Sequence, residues 1–180
     1  MHTPYVSPDP TQYLAFEVAG DGYGVPILCV REILEFTTVT RVPSAPACVR
    51  GVIDLRGEVV PVVDLAMKFG LPESVVTNRT CLIVVDADQG GENVTLGILA
   101  DSVSQVIEFA PSDVLALPAF GTGLRVDTLL GLGKTGENLV LLIDTGRILS
   151  PSELLQIESL DDAVADGEEE PAESSPGGVP

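Results

Sequence analysis

The chain has 180 residues, 45% of them hydrophobic, and a mean hydropathy of +0.34, which is enough apolar material for one globular domain. No apolar run reaches the about 18 to 20 residues of a membrane-spanning helix, and a net charge of −18 argues against nucleic-acid binding, because phosphates would be repelled. The first ten residues contain three prolines and no apolar segment of a secretory signal, so we expect a cytoplasmic protein without direct membrane insertion.

The charges are unevenly distributed along the chain. All nine basic residues lie between Arg31 and Arg147, and the residues after Arg147 include nine acidic and no basic side chains. The segment 31–68 differs, since five basic residues there are balanced by five acidic ones. A near-neutral, arginine-bearing segment in an acidic protein favours a protein–protein surface over a phosphate site.

The first third of the chain predicts short strands. We expect residues 1–11 to be disordered, 13–18 to form a strand and 19–22 to form a hairpin turn. A strand-like run follows over 23–33. Pro26 lacks the backbone donor that a sheet requires, so it marks an edge strand or a break.

The centre of the chain predicts a β-hairpin between two short helical segments. Residues 43–50 favour a helical turn that Gly51 ends. Two apolar strand segments then fill 51–65, joined by a charged Arg-Gly-Glu turn. Asp64 and Gly70 can cap the two ends of the short helix that follows.

The second half predicts further strands over 81–86, 94–100, 101–107 and 139–143, and residues 129–133 lead into the turn before the last of them. We expect a polar loop at 88–93 and a loop-rich segment at 108–128. The Ser-Pro-Ser-Glu sequence at 150–153 is a capping box that begins a short helix through about Leu160. The remaining residues are rich in Glu, Pro, Ser and Gly and are expected to be disordered.

A weak internal repeat suggests two similar lobes. A glycine, with apolar residues six and nine positions after it, recurs 73 residues later, so that Gly24, Val30 and Ile33 correspond to Gly97, Val103 and Val106. Many short strands at regular spacing indicate a mostly β protein built of barrel or sandwich lobes.

The motifs that suggest chemistry lack their structural context. Residues 131–136 match GxGxxG and contain the Gly-Lys-Thr that ends a P-loop, but a strand follows where a nucleotide site needs a helix. Thr128 also stands where the P-loop requires its first glycine. We therefore prefer a glycine-rich hairpin and keep nucleotide binding as the less favoured alternative.

The cysteines do not indicate a disulfide, a metal site or a nucleophile. Cys29, Cys48 and Cys81 are odd in number and none is at CxxC spacing, and the single histidine, His2, lies in the N-terminal tail. No base is available to activate a thiol or a serine. We expect three reduced cysteines, no cofactor and no enzyme activity.

The central stretch GVIDLRGEVVPVVDL at 51–65 closely resembles the signature G-V-x-N/D-L-R-G-x-x-x-P-V/I-x-D-L of the CheW family, the coupling proteins of bacterial chemotaxis. Further segments are similar to family motifs in the same order, at 23–33, 39–43, 96–103 and 131–144. The resemblance implies one domain over 12–155, with 156–180 as the end of a short helix and an acidic disordered tail.

The implied fold is two small five-stranded SH3-like β-barrel subdomains packed together, with short helices. The implied function is a non-catalytic adaptor between the cytoplasmic tip of a chemoreceptor and the regulatory domain of a CheA-type histidine kinase, a domain of the same fold. The same role in a gliding, pili or other chemosensory system remains an alternative.

By its match to the family motifs, Arg56 corresponds to a functionally important arginine and Glu32 to a glutamate that acts with it. We infer that the two pair across adjacent strands, either as a surface ion pair or as an ordered surface that a partner reads. Val30, Leu55 and Val103 are expected partner contacts at the lobe junction, or core residues, and Gly51 permits close approach. The predicted partner-binding set is Val30, Glu32, Gly51, Leu55, Arg56, Gly57 and Val103.

Overall fold

The computed structural model describes residues 11–89, 91–117 and 128–157. The strands in these residues are β1 (Thr11–Val18), β2 (Asp21–Pro26), β3 (Val30–Glu35), β4 (Val49–Leu55), β5 (Glu58–Val63), β6 (Cys81–Gln89), β7 (Glu92–Ala100), β8 (Ser102–Phe109), β9 (Val114–Leu115), β10 (Leu129–Thr135) and β11 (Asn138–Ile143). Two helices, α1 (Leu65–Lys68) and α2 (151–157), and 3-10 turns at Ile27–Cys29, Pro111–Asp113 and Thr145–Arg147 complete them. None of the helices in these ranges has the length and apolar character needed to cross a membrane.

The strands form two sheets, each the basis of one lobe. Lobe 1 has five strands in the order β3-β6-β7-β5-β4, and lobe 2 has six in the order β8-β1-β2-β11-β10-β9. The sixth strand is the two-residue β9. The predicted mostly β fold with two small lobes is thereby confirmed.

The lobes exchange strands, so they are not the two consecutive halves of the chain. β3 leaves the β1–β2 hairpin and joins lobe 1, whereas β8 leaves the β6–β7 hairpin and joins lobe 2. In both lobes the strand that carries the repeated glycine forms a parallel pair, with Gly24 opposite Leu142 and Gly97 opposite Val62. The sequence repeat therefore reflects a repeated strand order.

The core has three parts, one inside each lobe and a larger one between them. Val62, Leu82 and Leu99 belong to the cluster inside lobe 1, whereas their chain neighbours Val63, Ile83 and Ile98 belong to the cluster between the lobes. Tyr13, Phe109, Val140 and Leu142 fill lobe 2. Successive strand residues point to opposite faces and both faces are buried, which explains why these strands are continuous apolar runs.

Several local predictions are confirmed. The strand-like run at 23–33 breaks after Pro26, where a 3-10 turn separates β2 from β3. Asp64 caps α1, because its Oδ1 accepts a hydrogen bond from the Ala66 amide at 3.0 Å. Ser150 and Glu153 form the expected capping box at α2, with reciprocal bonds of 2.8 and 3.2 Å. The predicted end of this helix near residue 160 lies outside the described residues.

Other local predictions are wrong. Residues 43–50 form turns rather than a helical turn, because β4 already begins at Val49, and Gly51 lies inside that strand. The polar loop expected at 88–93 is shorter, since β6 extends to Gln89 and β7 begins at Glu92. Thr11, which the sequence placed in the tail, begins β1. The disorder predicted for the rest of the N-terminal tail, 1–10, and for 161–180 lies outside the described residues.

Candidate functional site

The turn between β4 and β5 is a rigid two-residue connection that carries Arg56 at its tip. Arg56 and Gly57 both have positive φ, +54° and +86°, which is typical of a type I′ hairpin turn. Asp54 fixes the turn from below, since its Oδ1 accepts a hydrogen bond from the Gly57 amide at 2.8 Å. The Arg56 side chain is 75% exposed. The hairpin therefore presents this guanidinium to solvent in a defined position.

Arg56 pairs with Glu32, as the sequence predicted, but not across adjacent strands. Its Nη1 and Nη2 donate to Oε1 and Oε2 of Glu32 at 2.7 and 3.1 Å, the two-pronged geometry of a strong Arg–carboxylate pair. Glu32 lies on β3, and β3 and β4 occupy opposite edges of the lobe 1 sheet. The pair therefore bridges the seam where the sheet closes on itself, which a prediction from strand adjacency could not anticipate.

A second ion pair bridges the same seam. Arg31 Nη1 contacts Glu58 Oε2 at 3.0 Å, and its Nη2 contacts Asp86 Oδ1 at 2.9 Å. The β3–β6 register shifts between Val30 and Glu32, a bulge at Arg31 that allows two successive side chains to reach the hairpin. The sequence reading missed Arg31 and Glu58. The sequence did contain a signal for this contact. Arg31-Glu32 on β3 and Arg-Gly-Glu at 56–58 each carry an arginine followed by a glutamate, so the two segments can form two ion pairs when they lie side by side.

Hydrogen bonding reinforces the positive charge of both arginines. The side-chain hydrogen bond to Glu32 raises the pKa of Arg56 above its ordinary value, and the one to Glu58 raises the pKa of Arg31 in the same way. Both guanidiniums are charged at every physiological pH. The seam thus carries two fixed cations, each held by its own acidic partner.

Below these ion pairs, backbone contacts close the seam at Gly51. Thr40 forms an isolated bridge with Val52 through two backbone hydrogen bonds of 2.9 and 2.8 Å. Gly51 has φ +152°, and a Cβ added to it would lie 2.1 Å from the Thr40 carbonyl oxygen. The close approach at Gly51 is thus made by Thr40 of the same chain. A role of Gly51 toward a partner stays a prediction.

The three apolar candidates lie in two places. Val30 and Val103 are half-buried against the core between the lobes, Val30 at the start of β3 and Val103 near the start of β8, opposite Phe16. Leu55 instead packs against the cluster inside lobe 1, so its predicted position at the lobe junction is wrong. The structure brings Glu32, Leu55, Arg56 and Gly57 to the seam, and places Val103 in the other lobe.

Exposed apolar side chains on the edge strands were not singled out from the sequence as contacts. Ile33 on β3 and Val106 on β8, equivalent positions of the repeat, are about half exposed, and Leu28 in the turn before β3 is 96% exposed. β3 and β8 form the outer edges of their sheets. Apolar groups on such edges are typical of protein–protein contact.

Gly131 and Gly133 of the 131–136 motif pack inside lobe 2, whereas Gly136 lies in the exposed turn that follows β10. Gly131 and Gly133 lie within β10, where an added Cβ would meet the Leu115 carbonyl at 2.7 Å and the Phe109 ring at 2.6 Å. Strand β11 follows the turn at 136–137. The motif is a glycine-rich hairpin, without the strand–turn–helix arrangement that a nucleotide phosphate needs.

The three cysteines are free thiols. Cys48 is buried, and its Sγ donates to Glu153 Oε2 at 3.2 Å. Burial, and then the Glu153 charge, raise the pKa of this thiol to about 12, so that it stays protonated and unreactive. Within the ranges that the structure describes, no three His, Cys, Asp or Glu side chains are arranged to hold a metal ion.

Comparisons with known proteins agree with this geometry. A family model described as a CheW-like domain matches residues 12–153. The chain is similar to chemotaxis protein CheW of Klebsiella aerogenes, with 32% identity over 83% of this chain and 87% of that protein. It is also similar to protein FrzA of Myxococcus xanthus, with 31% identity over 81% and 85%. Among solved structures, the scaffolding protein TtCheW from Thermoanaerobacter tengcongensis matches 85% of this chain and 96% of its own, with a TM-score of 0.71 and 25% identity.

Proposed function

Because this chain belongs to the CheW-like domain family, we propose that it couples chemoreceptors, the methyl-accepting chemotaxis proteins, to a CheA-type histidine kinase in a bacterial chemosensory array. Proteins of the family are non-catalytic scaffolds, which supports an adaptor role without catalysis for this chain. The proposal places it in the cytoplasm, recruited to receptor arrays at the inner membrane. It needs no cofactor for this role.

The observation that carries the proposal is the ordered guanidinium at the hairpin tip. Two of the five N–H donors of Arg56 contact Glu32 in the described part of the chain, so the others can donate to a partner's carboxylate or carbonyl. The type I′ turn and the Glu32 pair hold the side chain in place before binding. Arg56 therefore loses little side-chain freedom when a partner binds to it.

The seam and the sheet edges together support two partner surfaces. Arg56 and Glu32 form a charged surface at lobe 1, and the half-exposed Ile33 and Val106 offer apolar contact on one edge of each lobe. An adaptor must bind two proteins at once. Separate charged and apolar surfaces on one rigid body suit this requirement.

The test is co-sedimentation of the full chain with a receptor signalling fragment and a CheA-type kinase. We expect Arg56→Ala to weaken binding to at least one partner without unfolding the protein, because the side chain is 75% exposed. Arg56→Lys should weaken binding as well, since lysine keeps the charge but lacks the planar two-pronged geometry. Lys134→Ala, an exposed cation near the equivalent turn of lobe 2, is the matched control. Unchanged binding of Arg56→Ala to both partners would contradict the proposal.

A second candidate is the same adaptor role in a gliding, pili or other chemosensory system. It is supported by the 31% identity to FrzA, a relative that does not carry the name of a chemotaxis protein CheW, since this nearly equals the 32% identity to the Klebsiella protein. The same co-sedimentation distinguishes the two, using receptor fragments from a swimming system and from the other system side by side. If one receptor fragment recruits the chain preferentially, the chain belongs to the chemosensory system from which that fragment comes.

A further inference from the structure

A pocket of about 280 Å³ opens in lobe 1 beside the segment that follows β3. Its apolar walls come from Phe36, Val39, Val62 and Leu99, and Arg41 and Arg50 line it as well. Val62 and Leu99 are themselves part of the cluster inside lobe 1. The pocket thus offers an apolar floor with guanidinium groups beside it.

The two arginines differ in how many of their guanidinium donors already have partners within the chain. Arg50 contacts Asp64 at 3.1 Å, Glu73 at 2.9 Å and the Ser74 carbonyl at 3.0 Å. Arg41 is 78% exposed, and its salt bridge in the described residues is to Glu73 at 3.8 Å, the carboxylate that Arg50 holds more closely. Arg41 therefore has donor capacity for a further acidic group.

Helix α2, which is described up to Ile157, packs against the lobe that carries this pocket. Ile157 is buried in the core between the lobes, and Glu153 of the same helix accepts hydrogen bonds from Cys48 and from the buried Lys68. Cys48 is two residues before Arg50. The segment that follows Ile157 therefore starts close to the strand that leads to the pocket.

That segment, 158–180, has a composition complementary to the pocket. Its 23 residues include eight acidic and no basic side chains. Within it, residues 160–166 read Leu-Asp-Asp-Ala-Val-Ala-Asp. In an extended chain, alternate residues from Leu160 to Asp166 would share one face. The nine residues 158–166 can span about 30 Å when extended.

We propose that the acidic segment 158–180 docks on this pocket of its own chain, with Val164 against the apolar floor and a flanking aspartate on Arg41. Attachment to α2 places the segment at a high effective concentration, in the millimolar range for a short flexible connection, so a weak contact is populated. The contact weakens with salt because its charged part is exposed to solvent. This docking is independent of the receptor–kinase role.

The experiment is NMR on the isotope-labelled full chain, following the amides of residues 38–41 and 160–166 between low and high salt. We expect both sets to shift together in the unmodified chain. Arg41→Glu and, in the segment itself, Val164→Ser should each reduce the docked fraction about five-fold or more. Lys134→Glu, the same charge reversal on lobe 2, should leave it unchanged.

Three results would overturn the proposal. The first is that amides 160–166 keep the shifts of an unstructured peptide in all variants. The second is that Lys134→Glu has the same effect as Arg41→Glu, which would show a general charge effect. The third is that the shifts depend on protein concentration, which would make a second copy of the chain the occupant. Val164 lies beyond residues 12–153, the range that the CheW-like family model matches, so Val164→Ser tests the docking without a change inside the matched domain.

Discussion

Replacing Gly51 by alanine tests whether the seam of lobe 1 depends on the approach of Thr40. The new Cβ would lie 2.1 Å from the carbonyl oxygen and 2.7 Å from the carbonyl carbon of Thr40, both far inside ordinary contact. Both neighbours are backbone atoms, so no side-chain rotation can relieve the overlap. Thr40 has to move by more than an ångström, which breaks its two hydrogen bonds to Val52.

The expected cost follows from these contacts. Two lost backbone hydrogen bonds contribute about 1 to 3 kcal/mol, and a strained backbone adds about 1 to 3 kcal/mol, since φ +152° is a conformation that alanine rarely adopts. Reduced freedom of the unfolded chain returns somewhat less than about 1 kcal/mol. We expect Gly51→Ala to lower the free energy of unfolding by about 3 kcal/mol, which corresponds to a Tm lower by about 6 to 12 °C.

Equilibrium urea unfolding, with Gly57→Ala as the matched control, measures this effect. Gly57 also has positive φ, +86°, but an added Cβ there would meet nothing within 4 Å. That variant should lose only about 1 kcal/mol from backbone strain. If the two variants have the same urea midpoint and slope, the contact with Thr40 does not hold the seam and the reasoning fails.

Two further substitutions test the packing of the remaining elements. Burial raises the pKa of Glu153, but hydrogen bonds from Lys68, the Ser150 amide and Cys48 outweigh it and lower this pKa to about 2 from its ordinary 4.5. The stabilising contribution of the Glu153 carboxylate is therefore complete above about pH 4.5 and is lost as the pH falls through about 2. Glu153→Gln should lower the free energy of unfolding by about 2 kcal/mol at pH 7. In urea titrations, the stabilities of this variant and the unmodified protein should converge near pH 2. Gly133→Ala should lower stability by about 2 kcal/mol, because the Phe109 ring lies 2.6 Å from the added Cβ; an unchanged thermal midpoint would show that the ring yields freely.

The sequence predicted the elements that depend on near neighbours. Alternating or continuous β-branched residues identified most strands, and short capping side chains such as Asp64 and Ser150 identified the starts of both helices. These signals are local, because each residue acts on backbone groups within four positions. The Arg56–Glu32 pair was also predicted, although from the family motif and not from strand geometry.

What the sequence could not predict depends on contacts between distant segments. The partner of β3 is β6, whose first residue, Cys81, comes 46 positions after the last residue of β3, Glu35, and nothing in β3 itself names that partner. Gly51 was predicted to end a helical turn, which is a common local role of glycine. Its actual role depends on its φ and on the approach of Thr40, and both exist only once the lobe has closed. Arg31 could not be distinguished from other charged residues in the sequence, because its contact with Glu58 depends on the bulge in β3.

The exchange of strands between lobes constrains the order in which the chain can fold during synthesis. Lobe 1 needs only β3 to β7, which leave the ribosome by Ala100. The β1–β2 hairpin is made first, yet Gly24 must wait for Leu142, 118 residues later, or about 6 to 24 s at ordinary elongation rates. Its apolar residues Phe16 and Tyr23 pack in the core between the lobes, so the completed lobe 1 offers them an early surface. We expect lobe 1 to serve as the platform on which the earliest hairpin is held until the last one arrives.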